Sequence, residues 1–152
     1  DPSSSDRILD AFCGIGNFSL ALATSAEWVS GLELSIESVA RAESNAQENG
    51  VDNVSFSVAD LYQEPMLLPV DIEFNKVLLD PPRSGAEAFV KELARWNVEK
   101  VVYVSCNPKT LARDAKILIQ QGFDLQSAGI INMFPHTTHV ESIATFARSE
   151  LA

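Results

Sequence analysis

Cationic residues are scarce: 11 Lys and Arg stand against 21 Asp and Glu, and the formal net charge is −10. Phosphate backbones are gripped by Lys and Arg, so the chain is not expected to hold a nucleic acid by itself. A separate domain or a local basic patch would have to supply most of that grip. Cysteine is scarcer still. Cys13 and Cys106 are the only two, too few for a disulfide framework or a structural zinc site. No apolar run is long enough to span a bilayer, and no basic, apolar, small-residue signal opens the chain. The expectation is a soluble, cytoplasmic protein with free thiols. Repeats, low-complexity tracts and linkers are also lacking. What is present is 46 % apolar residues in 152 positions, enough for one packed domain spanning 1–152. A core strand begins almost at once, after a short polar lead, which is expected of the C-terminal piece of a longer protein.

Short β-rich runs alternate with helical stretches. Ile8 to Phe12, Trp28 to Glu33, Val54 to Val58, Lys76 to Leu79 and Lys100 to Ser105 read as five strands. Between them Asn17 to Ser25, Ser35 to Asn49 and Ala86 to Trp96 read as helices, and Thr110 to Gln121 as a fourth. Ser35 suits an N-cap and Gly50 a helix stop. A loop with Pro65 and Pro69 follows the third strand. Leu125 to Asn132 and Ser142 to Ala147 close the chain with no long helix between them, so they should pair antiparallel. Strands alternating with helices imply a mostly parallel sheet covered on both faces. Five such units and a terminal antiparallel pair predict the α/β, Rossmann-like class I methyltransferase layout with seven strands.

The segment Asp10-Ala11-Phe12-Cys13-Gly14-Ile15-Gly16-Asn17-Phe18 lies where the first strand meets the first helix. Gly14 and its neighbours let backbone approach a ligand, and open α/β sheets bind ligands outside the carboxyl ends of their strands. A dinucleotide fingerprint would place Gly or Ala at position 19; Ser19 departs from it and favours S-adenosylmethionine over NAD. Glu33, ending the second strand, can accept both ribose hydroxyls of a nucleoside, or be a solvated turn acid. Asp60 can face an adenine edge, or be a turn residue. Phe12 can be core, and Asn17 can cap the helix.

Asp80-Pro81-Pro82-Arg83 ends the fourth strand, where two prolines stiffen the turn and aim the Asp80 carboxylate. Cys106 ends the fifth strand just before a helix, whose N-terminus favours a thiolate. A lone cysteine is otherwise a small buried hydrophobe, which is how Cys13 reads. The segment from Phe134 to Ser142 holds His136, His139 and Glu141. No further ligand cluster supports a metal site there, so none is assigned, and Glu141, held at a strand start, is the candidate general base.

ILDAFCGIGNFSL, LLDPPRSG, VYVSCNPKTLARD and FPHTTHVES together resemble the RNA uracil-5-methyltransferases over nearly the whole chain, most closely the branch acting on 23S ribosomal RNA. The resemblance implies that Cys106 is the nucleophile and Glu141 the proton-abstracting base. It implies that Phe12, Asn17, Glu33, Asp60 and Asp80, with Gly14 in the loop, bind S-adenosylmethionine. It also implies parts that this chain does not contain: an N-terminal RNA-binding domain, a central domain that holds an iron–sulfur cluster in this branch, and an upstream glutamine that touches the cofactor. The chain alone is therefore expected to bind cofactor weakly and methylate RNA poorly. Amine-methylating relatives place an aromatic residue after the two prolines, where this chain has Arg83. Two alternatives stay open. An RNA cytosine-5-methyltransferase would carry a cysteine after the fourth strand too, where Asp80 stands. A silent S-adenosylmethionine-binding module would not need Cys106. Lys109, Arg113 and Lys116 recur at helical spacing after Cys106, as RNA phosphate contacts or as a solvated face.

Overall fold

The computed structural model describes residues 2–64, 66, 68, 73–131 and 140–149. Seven strands form one sheet: β1 (Arg7–Ala11), β2 (Trp28–Glu33), β3 (Val54–Val58), β4 (Lys76–Leu79), β5 (Lys100–Ser105), β6 (Phe123–Ile131) and β7 (Glu141–Arg148). Their order is β3-β2-β1-β4-β5-β7-β6. The first five run parallel, while β7 lies antiparallel between β5 and β6. The chain therefore builds outward from β1 in one direction, then returns and builds outward from β4 in the other. The reversal opens a crevice at the carboxyl ends of β1 and β4, where open α/β sheets take their ligands.

Four helices cover the sheet: α1 (Asn17–Ala23), α2 (Ile36–Glu48), α3 (Glu87–Glu92), which runs on into a 3₁₀ turn at Leu93–Arg95, and α4 (Pro108–Gln120). Alternation along β1 divides the core. Ile8 packs with Val29, Ala23 and Ala26 beneath α1. Leu9 and Ala11 face the other way into the larger cluster with Phe89, Leu111 and Phe146. Fully buried side chains such as Phe89 and Leu79 each contribute about 1.5–3 kcal/mol by leaving water. β6 is the exposed edge, with Ile130 74 % accessible, and a register shift between Leu125 and Ser127 interrupts its ladder, a device that discourages further strand addition.

Most expected elements are present within one or two residues, and two differences matter. Ser35 caps α2 as expected, its hydroxyl accepting the Ser38 N–H. Asn17 is not a cap: Gly16, at φ 86, occupies that place and no side chain caps α1. The helix after Cys106 begins at Pro108 rather than Thr110, because proline suits the first helical position, where no N–H is required. The expected loop prolines Pro65 and Pro69 lie outside the described residues. No described helix is long and apolar enough to cross a membrane.

Candidate functional site

Phe12, Glu33, Leu34, Leu61, Tyr62, Asp80 and Pro82, with Ala59, line a cleft of about 360 Å³ at the carboxyl edge of the sheet. Three of the expected cofactor residues, Phe12, Glu33 and Asp80, thus share one cavity although they come from three different strands. Phe12 is half-buried, and its φ of 66° is the one positive value at a non-glycine among the described residues. Such a conformation costs on the order of 1–3 kcal/mol and persists only where surroundings enforce it. Here the ring is held against Tyr62, with centroids 5.6 Å apart, and Phe89, at 6.4 Å.

The glycine turn next to it is pinned by an acid. Glu33 accepts the Gly14 N–H on Oε2 at 3.2 Å and the Ser35 N–H on Oε1 at 3.0 Å. Both carboxylate oxygens keep lone pairs for further donors. A Cβ on Gly14 would meet nothing within 4 Å, so the space above this turn is open to a ligand. Behind the turn Asp10 is wholly buried. Its Oδ2 accepts the Ser19 hydroxyl, while Oδ1 has no partner among the described residues. Burial, aided by the nearby charge of Asp80, pushes the Asp10 carboxyl up to about 7. Fixed acceptors at Glu33, an open glycine turn and an aromatic wall suit a nucleoside with an amino-acid tail, the chemistry of S-adenosylmethionine.

Asp60 and Asn17 stand less centrally. Asp60 is exposed and lies outside the cleft lining; its Oδ1 accepts the Tyr62 N–H at 2.9 Å, the turn role left open for it. Asn17 is exposed on the first turn of α1. Cys13 is buried beside α2, and burial first, then the charges of Asp10 and Glu33, push its thiol far up. It remains an unreactive packing residue. Tyr62, Leu34 and Pro82 line the cleft without having been assigned to the cofactor site from sequence. Their signals were weak: an aromatic two residues past Asp60, an apolar residue next to Glu33, and the second proline of the stiff turn.

Cys106 is partly exposed and immediately precedes Asn107, which caps α4 by accepting the Lys109 N–H. Ser105 fixes this bend, exchanging hydrogen bonds of 3.0 Å with the N–H and C=O of Asn107. In the β5–β7 ladder Ser105 lies opposite Ser142. Cys106 follows the first and Glu141 precedes the second, so the antiparallel register carries both to the same end of the sheet, one residue past the last pair. Asp80 ends the neighbouring β4. Burial and then the charge of Glu141 push its carboxyl up, which puts Asp80 and Glu141 within electrostatic reach of each other. The thiol, the base candidate and one wall of the cleft therefore lie at the same end of the sheet.

The basic set after Cys106 lies on α4. Lys109, Arg113 and Lys116 are all exposed, but Arg113 is also tied into the protein, donating to Asp114 and to the Ser84 carbonyl and pairing with Glu87. His136 and His139 lie outside the described residues, and among the described residues no three His, Cys, Asp or Glu side chains gather to hold a metal.

A family model described as tRNA (Uracil-5-)-methyltransferase matches residues 2–149. The chain is 53 % identical over 150 residues to the 23S rRNA (uracil(1939)-C(5))-methyltransferase RlmD of Methylococcus capsulatus, covering 97 % of this chain and 34 % of that protein. It is 49 % identical over 154 residues to the RlmD of Hahella chejuensis, with the same coverage. It thus spans about a third of the length of these curated relatives. Among solved structures, the tRNA (uracil-54, C5)-methyltransferase of Pyrococcus abyssi in complex with S-adenosyl-L-homocysteine superposes with a TM-score of 0.80 at 35 % identity, over 95 % of this chain and 35 % of that one. The sheet is the class I methyltransferase fold that the strand pattern predicted.

Proposed function

The chain belongs to the tRNA (uracil-5-)-methyltransferase family, and we propose that it is the catalytic domain of an enzyme that methylates carbon 5 of a uridine in 23S ribosomal RNA in the cytoplasm. The observation that carries this reading is the convergence of Cys106, Glu141 and the Asp80 wall of the cleft on one end of the sheet. The 23S target rests on the relatives at about half identity. S-adenosylmethionine, when bound, supplies an electrophilic methyl group on a sulfonium. Glu33 would fix its ribose, the Gly14 turn would accommodate its amino-acid tail, and Phe12 would pack on its nucleoside.

Carbon 5 of uracil is a weak nucleophile. The Cys106 thiolate adds to carbon 6, and the electrons of the C5–C6 double bond move into an enolate. Carbon 5 then attacks the methyl carbon and displaces the thioether, which keeps the electrons of the broken S–C bond. Glu141 removes the remaining proton from carbon 5, the double bond re-forms, and the Cys106 thiolate is expelled. The half-buried Asp80 lines the cleft that would hold the methyl donor and lies within electrostatic reach of Glu141. RNA is delivered largely by parts of the full-length protein outside this chain, consistent with the chain's net charge of −10 and the coverage of its relatives. Changing Glu141→Gln in the full-length protein separates the steps: a methylated RNA–protein adduct should accumulate and release should stall. Normal turnover by that variant would remove Glu141 from the mechanism.

A further inference from the structure

Resting on that reading, we propose that Asp114 is a positioning residue for methyl transfer, locking the turn that walls the cofactor cleft onto the helix that follows the nucleophile. The turn begins with Asp80 and Pro82, both in the cleft lining. Beyond them, three successive carbonyls are each taken by a side chain. Asn107 and Thr110 donate to the Arg83 carbonyl at 3.0 and 3.3 Å. Arg113 donates to that of Ser84 at 2.9 Å. The Tyr62 hydroxyl donates to that of Gly85 at 3.0 Å from the cleft side. Three of these four donors lie at or within α4, and Cys106 immediately precedes its cap.

Asp114 ties this grip together. It is completely buried, and its carboxylate accepts the Ala86 N–H at 2.7 Å, the Tyr103 hydroxyl at 2.6 Å and the Arg113 Nε at 2.7 Å. Burial, then the bond to Asp114, push the Tyr103 phenol upward, so it remains a donor. The same carboxylate therefore fixes the end of the turn, the strand that leads to Cys106 and the arginine that holds Ser84. Gly85 fits because it has no side chain: a Cβ there would stand 2.7 Å from Asp114 Oδ2 and 2.6 Å from Arg113 Nη2. Neither Asp114 nor Arg113 lines the cleft. What they set is the spacing between the donor side, at Asp80 and Pro82, and the acceptor side, at Cys106. Misalignment of about 1 Å between reacting groups costs about 100-fold in rate.

The test is Asp114→Asn in the full-length protein, read as single-turnover methyl transfer at saturating S-adenosylmethionine and RNA, well below the variant's melting temperature. The expected result is a 10- to 100-fold slower transfer, with dissociation constants for RNA and S-adenosylhomocysteine within about threefold of wild type. A wild-type rate would overturn the proposal, and so would a loss explained entirely by weaker binding or a smaller folded fraction. If Asp114→Asn does not fold, Tyr103→Phe decides: it removes one hydroxyl from the carboxylate and should slow transfer several-fold in a folded protein, whereas a wild-type rate overturns the proposal. Failure of the wild-type enzyme to methylate uridine would instead refute the functional reading itself.

Discussion

Replacing Asp10 by asparagine should stabilise the fold at neutral and alkaline pH, although it removes an acid from the heart of the cofactor loop. Asp10 is wholly buried, and its carboxyl is raised from an ordinary 3.8 to about 7, chiefly by burial. The folded chain thus holds a proton that the unfolded chain releases near pH 4. Stability from this group is complete below pH 3.8, falls as pH rises towards 7 and stays low above it. At about 1.4 kcal/mol per pH unit, the loss approaches about 4 kcal/mol by pH 8. Asparagine keeps the shape and an oxygen to accept the Ser19 hydroxyl, and it carries no charge to bury. Thermal unfolding of wild type and Asp10→Asn from pH 5 to pH 8.5 measures the difference. The variant's advantage should widen with pH, reaching several degrees at the alkaline end. A gap that does not change with pH, or a variant less stable than wild type at pH 8.5, would refute the burial argument.

Other perturbations test the cleft and the turn. Gly85→Ala should cost about 2–4 kcal/mol in urea unfolding, because the residue sits at φ +79° and a Cβ there collides with Asp114 and Arg113; a cost below 1 kcal/mol would contradict the close approach. Glu33→Gln should weaken S-adenosylhomocysteine binding about tenfold by calorimetry, since the carboxylate that pins Gly14 and Ser35 is also the acceptor assigned to the ribose; unchanged affinity would reassign it.

The periodic features of the chain were readable before any coordinates. Alternating strands and helices placed Phe12, Glu33 and Asp80 at strand ends, and strand ends in a parallel sheet converge on one edge. The Ser35 cap was legible because its hydrogen bond is local. Contacts spanning the chain were not. Arg113 at helical spacing looks like a solvated cation, and only the fold brings Ser84, 29 residues earlier, against it. Asp114 reads as an ordinary helix acid until Ala86 and Tyr103 are packed on its carboxylate. Tyr62 follows a stretch with no strong pattern, and its place in the cleft depends on the turn it bridges. α4 starts at Pro108, two residues before the expected Thr110, because proline suits the first helical position. Bringing Cys106 and Glu141 to the same end of the sheet needed the antiparallel insertion of β7 beside β5, which spacing along the chain does not specify.

The central claim is that Cys106 attacks carbon 6 of a uridine. Incubating the full-length protein with S-adenosylmethionine and RNA carrying 5-fluorouridine tests it directly, because fluorine on carbon 5 leaves no proton for Glu141 to remove and the adduct cannot collapse. The account predicts an RNA–protein complex that survives denaturing electrophoresis, maps to Cys106 by mass spectrometry and is absent from Cys106→Ala. Methylation of ordinary RNA without any such complex, or a complex that persists in Cys106→Ala, would contradict it.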